Sequence, residues 1–111
     1  MTVQSLAETL KLTVLCGGAD ALSREVTGGY CGDLLSWVMG RAPQNGVWIT
    51  IMSNINVAAV AGLADIACVV LAEGVGPDAP LLERAAGENI PLLQSPEPAF
   101  TLAGRIFNAL R

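Results

Sequence analysis

Residues 47–93 read VWITIMSNINVAAVAGLADIACVVLAEGVGPDAPLLERAAGENIPLL, and their rhythm decides the fold. Val47 to Met52 and Ala67 to Ala72 are short, continuous apolar runs rich in β-branched residues, the pattern of strands buried on both faces. Between them Asn54 stands where a helix cap belongs, ahead of an Ala- and Val-rich segment running to about Ala64. Pro77-Asp78 opens a second helix through Glu88, and Ile90 to Leu93 makes a third, shorter strand. Strands and helices alternating at this spacing require βαβ crossovers, and therefore a mostly parallel sheet covered on both faces.

The flanks extend the same pattern. Ser5 and Glu8 match a capping box and predict a helix through Leu10, followed by a strand from Leu12 to Cys16 that Gly17-Gly18 stops. Arg24 to Tyr30 reads as extended, with Gly28-Gly29 marking a bulge or turn, and Asp33 is placed to cap a helix from Leu34 to Met39. Pro98 to Leu110 makes the last helix. The expectation is one α/β domain over residues 1–111, three layers deep (α/β/α), with a mostly parallel sheet of about five strands. Ile55 to Ala72 is apolar over nearly the length of a membrane span, but Asp65 inside it and the change of composition near Ala67 favour a helix followed by a buried strand.

Hydrophobic residues make up 52% of the chain and charged residues 14%, more apolar surface than one core of this size hides readily. The helix after Asn54 has scarcely any charged face, and neither has Leu34 to Met39. This imbalance predicts a homodimer, with Trp37, Val38, Val57, Val60 and Ala61 as interface candidates. The net charge is −4 and the only lysine is Lys11, so nucleic acid is excluded as a partner for want of a basic patch. Cys16, Cys31 and Cys68 are odd in number and far apart, which suits a reducing cytoplasm; MTVQSLAETLK lacks the features of a secretory signal.

The chain has no histidine, which removes Ser-His-Asp and Cys-His nucleophiles and histidine-ligated metals from consideration. Neither a phosphate-binding Gly-x-x-x-x-Gly-Lys-Ser/Thr loop nor a Gly-x-Gly-x-x-Gly fingerprint occurs, so no cofactor is expected. Two groups of residues could form a ligand site. In the first, the glycines Gly28 and Gly29 would let backbone amides approach an anion, with Thr27 as hydroxyl donor, Arg24 as charge and Asp33 nearby. The same residues also read as a glycine turn leading to an Asp-capped helix. The second group follows from topology: ligands of parallel sheets gather beyond the carboxyl ends of the strands, here near Gly17-Gly18, Ser53, Asn54, Glu73 and Gln94-Ser95. Its plainer reading makes Asn54 a helix cap and Glu73 a solvated loop residue.

The run Val26-Thr27-Gly28-Gly29-Tyr30-Cys31-Gly32-Asp33-Leu34-Leu35-Ser36-Trp37, then Val47 to Ile51, Asn56 to Ala61, Glu73-Gly74 and Asn89-Ile90-Pro91-Leu92-Leu93, resembles the DRTGG domain over nearly the whole chain. Ser23 to Gly29 departs from the name-giving pattern in lacking its initial Asp. The resemblance implies a fold like the amino-terminal domain of HPr kinase/phosphorylase, without that enzyme's catalytic domain. It also implies a regulatory or oligomer-forming role, with stand-alone copies similar to small proteins linked to iron hydrogenases or electron transfer. The expected function is a non-catalytic module that self-associates and binds a small anionic ligand or a redox-enzyme partner. The alternatives are a small histidine-free enzyme using Arg24, Thr27 and Asp33, and a structural accessory subunit of a hydrogenase complex.

Overall fold

The computed structural model describes all 111 residues and carries eleven elements in the order α1 (Val3–Leu10), β1 (Thr13–Cys16), α2 (Ala19–Leu22), β2 (Gly28–Cys31), α3 (Leu35–Arg41), β3 (Gly46–Thr50), α4 (Asn56–Leu63), β4 (Cys68–Leu71), α5 (Ala79–Gly87), β5 (Leu92–Gln94) and α6 (Ala99–Leu110). The five strands form one sheet in the order β1-β5-β4-β3-β2. Strands β2 to β5 run parallel, and β1 lies antiparallel against β5. Alternate residues of the inner strands face opposite layers. Val47, Ile49, Cys68, Val70 and Leu93 pack on α1 and α6, whereas Trp48, Val69, Leu71 and Leu92 pack on α3, α4 and α5. The mostly parallel three-layer expectation therefore holds. No helix is long and apolar enough to cross a membrane, because Ile55 to Ala72 divides into α4 and β4 as expected.

Several local expectations are corrected. The capping box lies one turn earlier: Thr2 Oγ1 accepts from Ser5 N at 3.0 Å and Ser5 Oγ accepts from Thr2 N at 2.8 Å, while Glu8 takes a bond from Gln4. Gly28-Gly29 forms neither bulge nor turn. Both sit inside β2 in register with Gly46 and Val47, and only Gly17 and Gly74 among the glycines have positive φ. Asp33 does not cap α3, whose first turn has no side-chain cap. Since β1 is antiparallel, Gly17-Gly18 lies at the amino end of the parallel strands instead of their carboxyl end.

Of the interface candidates, Val38, Val57, Val60 and Ala61 are core residues, between 0% and 8% exposed. Helix α4 is the middle of three and touches both α3 and α5, so an apolar girdle is what its position requires. Trp37 alone remains half exposed, with the Arg41 guanidinium 3.8 Å from its ring centroid.

Candidate functional site

The two ends of the parallel sheet are built differently. At the amino end, Asn45, Asp65 and Asn89 adopt left-handed backbone (φ 55–61°) just before β3, β4 and β5. Asp65 and Asn89 close the helices preceding them: Ile66 N bonds Ala61 O at 3.0 Å and Ile90 N bonds Ala85 O at 2.8 Å, with the apolar residue after the turn entering the core. Glycine is the residue commonest in such a turn. Here Asn and Asp tolerate the conformation and lend a side chain to neighbouring chain segments.

Arg24 is the centre of this network. Its Nε donates to Asn45 Oδ1 at 2.7 Å, one terminal nitrogen to Ile66 O at 3.3 Å, and the other to Asp65 O at 2.8 Å and Asp65 Oδ1 at 2.6 Å. Gln44 Nε2 donates to the remaining Asp65 oxygen at 2.6 Å, and these two bonds hold the Asp65 carboxyl below its ordinary range. Thr27 Oγ1 donates to Gln44 O at 2.8 Å. Asn89 joins Gly18 N at 2.7 Å to Asp20 at 3.0 Å, and the latter bond lowers the Asp20 pKa. The hydrogen-bonding groups at this end are spent on tying the loops shut.

Asp33 stands at the other end of β2, about 20 Å along an extended chain from Thr27. The structure therefore does not bring Arg24, Thr27 and Asp33 together. Asp33 Oδ1 accepts from the buried Thr50 hydroxyl at 2.7 Å and from Ile51 N at 3.0 Å, joining the chain after β2 to the chain after β3. Glu73 is also structural: its Oε2 accepts from Ala99 N at 2.8 Å, capping α6 where Pro98 offers no side chain.

Between these two carboxylates the chain enters α4. Asn54 Oδ1 accepts from Asn56 N at 2.9 Å, and Ile55 already has helical dihedrals, so Asn54 is the working cap as expected. The N–H groups of Ser53, Asn54 and Ile55 donate to no protein acceptor, while Ser53 O accepts from Asp78 N at 2.9 Å. The Ser53 hydroxyl and the Asn54 amide nitrogen are likewise free of protein partners. Leu34, Ile51 and Ile55, on the segments that Asp33 joins, are between 39% and 56% exposed. Three consecutive unused amides at a helix start, next to exposed apolar side chains, suit an anionic group carried on an apolar body.

Thr27, Gly28 and Gly29 line a different feature, an open groove of about 1060 Å³ between β2 and α6 that continues past Tyr30 and Cys31 to Phe100 and Phe107. Burial raises the Cys31 thiol pKa, and the Asp33 charge adds to the rise; burial also raises that of Cys16. Cys68, inside β4, is pushed up to about 12 by burial. None of the three is poised as a thiolate. No cluster of three or more His, Cys, Asp or Glu side chains could hold a metal ion.

This architecture is a mostly parallel sheet between two helical layers, the class of α/β domains in which ligands, where they bind, gather at the carboxyl edge of the sheet. The chain belongs to the DRTGG domain family, whose model matches residues 5–109. Its fold is similar to that of a regulatory region of Clostridium perfringens pyrophosphatase, which contains CBS and DRTGG domains and was solved with its activator, diadenosine tetraphosphate. The TM-score is 0.75 at 14% identity, and the match covers 96% of this chain but 45% of that one. Comparison with curated proteins gives no match.

Proposed function

We propose that this chain is a non-catalytic regulatory module that works as a homodimer and binds a small anionic ligand at the carboxyl ends of its parallel strands. The observation that carries the reading is the run of amides without a protein acceptor at Ser53, Asn54 and Ile55, with the Asn54 side chain fixed as a cap and the Ser53 hydroxyl bonded to no protein group. Ser53 and Asn54 are half-buried and Ile55 is exposed, and N–H groups at a helix start that have no protein acceptor are where an anion gains most. Asp33 and Asp78 stand close by and disfavour a bare anion, which selects a ligand that also offers hydrogen-bond donors. A nucleotide has all three attributes: phosphate, hydroxyl donors and an apolar ring for Leu34, Ile51 and Ile55. The activator bound to the pyrophosphatase regulatory region belongs to that chemical class.

The reading is tested by thermal-shift titration with diadenosine tetraphosphate, ATP, AMP and inorganic pyrophosphate, for wild type and Asn54→Leu. A ligand selective for the folded state raises the melting temperature by an increment that grows with the logarithm of its concentration above Kd. Stabilisation by at least one nucleotide that Asn54→Leu weakens, with the ligand recovered unchanged, supports the module. Turnover of the ligand, or equal stabilisation of both proteins, contradicts it.

A further inference from the structure

Asn45 precedes Gly46, and no other asparagine of the chain precedes a glycine: Asn54, Asn56, Asn89 and Asn108 are followed by Ile, Val, Ile and Ala. Asparagine is a chemically labile residue, and a following glycine has no Cβ to hinder attack by its nitrogen on the side-chain amide. The fold requires this pair. Pro43 O accepts from Gly46 N at 3.0 Å, which makes residues 43–46 a turn whose third position needs positive φ, and Asn45 stands there with φ 61°. Asn is one of the few residues that tolerate that conformation. Gly46 is equally confined, since an added Cβ would meet Pro43 O at 2.8 Å and Pro43 Cγ at 2.9 Å.

The same geometry holds the pair unreactive. With ψ of about 0° to +47° at such a turn position, the Gly46 nitrogen points away from the Asn45 side chain, whereas ring closure needs it eclipsed with Cβ. Gly46 is buried and its N–H is bonded to Pro43 O, so base has no access to the proton it must remove. Asn45 Oδ1 is held by Arg24 Nε at 2.7 Å. The Asn45 main chain is fixed on both sides, its N–H donating to Asp65 O at 2.9 Å and its carbonyl accepting from Thr27 N at 3.0 Å.

We propose that Asn45 is a modification site, a latent deamidation centre that the loop tied by Arg24 keeps silent and that reacts when this loop opens. Once ψ is released, the Gly46 nitrogen attacks Asn45 Cγ. The N–Cγ bond forms, the Cγ–Nδ2 bond breaks, and Nδ2 leaves as ammonia with the amide proton of Gly46. Solvent water then adds to either carbonyl of the succinimide ring and opens it to aspartate or isoaspartate, with no change of oxidation state. Aspartate keeps an acceptor for Arg24. Isoaspartate routes the main chain through Cγ, inserts a methylene ahead of β3 and removes the left-handed residue on which the Asp65 and Thr27 bonds depend, so the loop cannot reclose as before. Opening of this end of the sheet is thereby recorded in the covalent chain.

The test is peptide-mapping mass spectrometry, with enzymatic methyl labelling of isoaspartate, on folded wild type, urea-unfolded wild type and Arg24→Ala held at mildly alkaline pH. Asn45 is expected to convert in the unfolded chain and at least about tenfold more slowly in the folded one. In Arg24→Ala, under conditions where circular dichroism shows it folded, conversion should rise about tenfold over folded wild type. Asn89, equally left-handed but followed by Ile90, should convert more slowly than Asn45 in the unfolded chain. Hydrogen exchange of wild type gives a second readout that needs no variant: the Gly46 N–H should be protected, and conditions that speed its exchange should speed conversion in step. No conversion of Asn45 in the unfolded chain overturns the site. Folded wild type that converts as fast as the unfolded chain, or an unprotected Gly46 N–H, overturns the lock, and folded Arg24→Ala converting at the wild-type rate overturns the part given to Arg24.

Discussion

Arg24→Ala should be the most destabilising single change among the charged residues, because Arg24 holds two left-handed turns and a core carbonyl at once. Its guanidinium donates to Asn45 Oδ1, Ile66 O and Asp65 O, and to the Asp65 carboxylate. Three bonds to neutral acceptors contribute about 0.5–1.5 kcal/mol each. The ion pair adds little, since the Asp65 side chain is 51% exposed and solvent screens it. Because the Arg24 side chain is 31% exposed, the expected loss lies in the lower part of the resulting range of about 1.5–4.5 kcal/mol, at about 2–3 kcal/mol. With an unfolding entropy of about 2.1 cal/mol/K per residue, that corresponds to a fall of roughly 10 °C in the melting temperature of a 111-residue chain. Differential scanning calorimetry of wild type, Arg24→Ala and Arg24→Lys measures it, and Arg24→Lys should recover only part of the loss because lysine cannot reach the acceptors as a planar fork. A fall of less than about 2 °C for Arg24→Ala would refute the structural role given to this residue.

Asp65 links this network to pH. Its carboxyl is more acidic in the folded state than in the unfolded chain, so its contribution is complete above the ordinary carboxylate range and is lost as pH falls through the folded value. Asp65→Asn should flatten the acid limb of stability against pH in urea titrations, and an unchanged slope would remove Asp65 from the account. Asp33→Ala leaves the buried Thr50 hydroxyl without its acceptor and should cost about 1–3 kcal/mol, most of it recovered in the Asp33→Ala/Thr50→Val double variant. Gly46→Ala should be far more damaging than Gly28→Ala, since an added Cβ meets Pro43 O at 2.8 Å in the first and only Pro43 Cγ at 3.5 Å in the second. Comparable melting temperatures for the two would contradict that packing. Iodoacetamide labelling followed by mass spectrometry should modify exposed Cys31 before Cys16, and Cys68 only on unfolding.

The layer architecture was legible because its signals are local: apolar runs of strand length, caps and prolines recur at the spacing of βαβ units. Strand direction is not encoded that way. Thr13 to Cys16 would look the same in a parallel and an antiparallel partner, so the reversal of β1, and with it the place of Gly17-Gly18, emerges only from pairing with β5. Asn54 was readable as a cap because its acceptor bonds two residues on. Arg24, Asp33 and Glu73 were singled out for their chemistry, but their partners lie between 17 and 42 residues away, and no sequence window shows that these charges are already engaged. The same limit hid Asn45, Asp65 and Asn89, whose signal was an Asn or Asp just before a strand, at the end of a helix in the case of Asp65 and Asn89. Val57, Val60 and Ala61 were placed in an interface because an all-round apolar helix has no face that periodicity can assign.

The central claim, a ligand-binding module with its site at the start of α4, is tested most directly by amide chemical-shift mapping of the ¹⁵N-labelled protein titrated with diadenosine tetraphosphate and ATP. The account predicts that the largest saturable shifts fall on Ser53, Asn54 and Ile55, with smaller ones at Leu34 and Ile51 and no change in the ligand over the titration. Saturable shifts centred on Arg24 and Asp65 at the opposite end of the sheet, or conversion of the ligand to product, would contradict it.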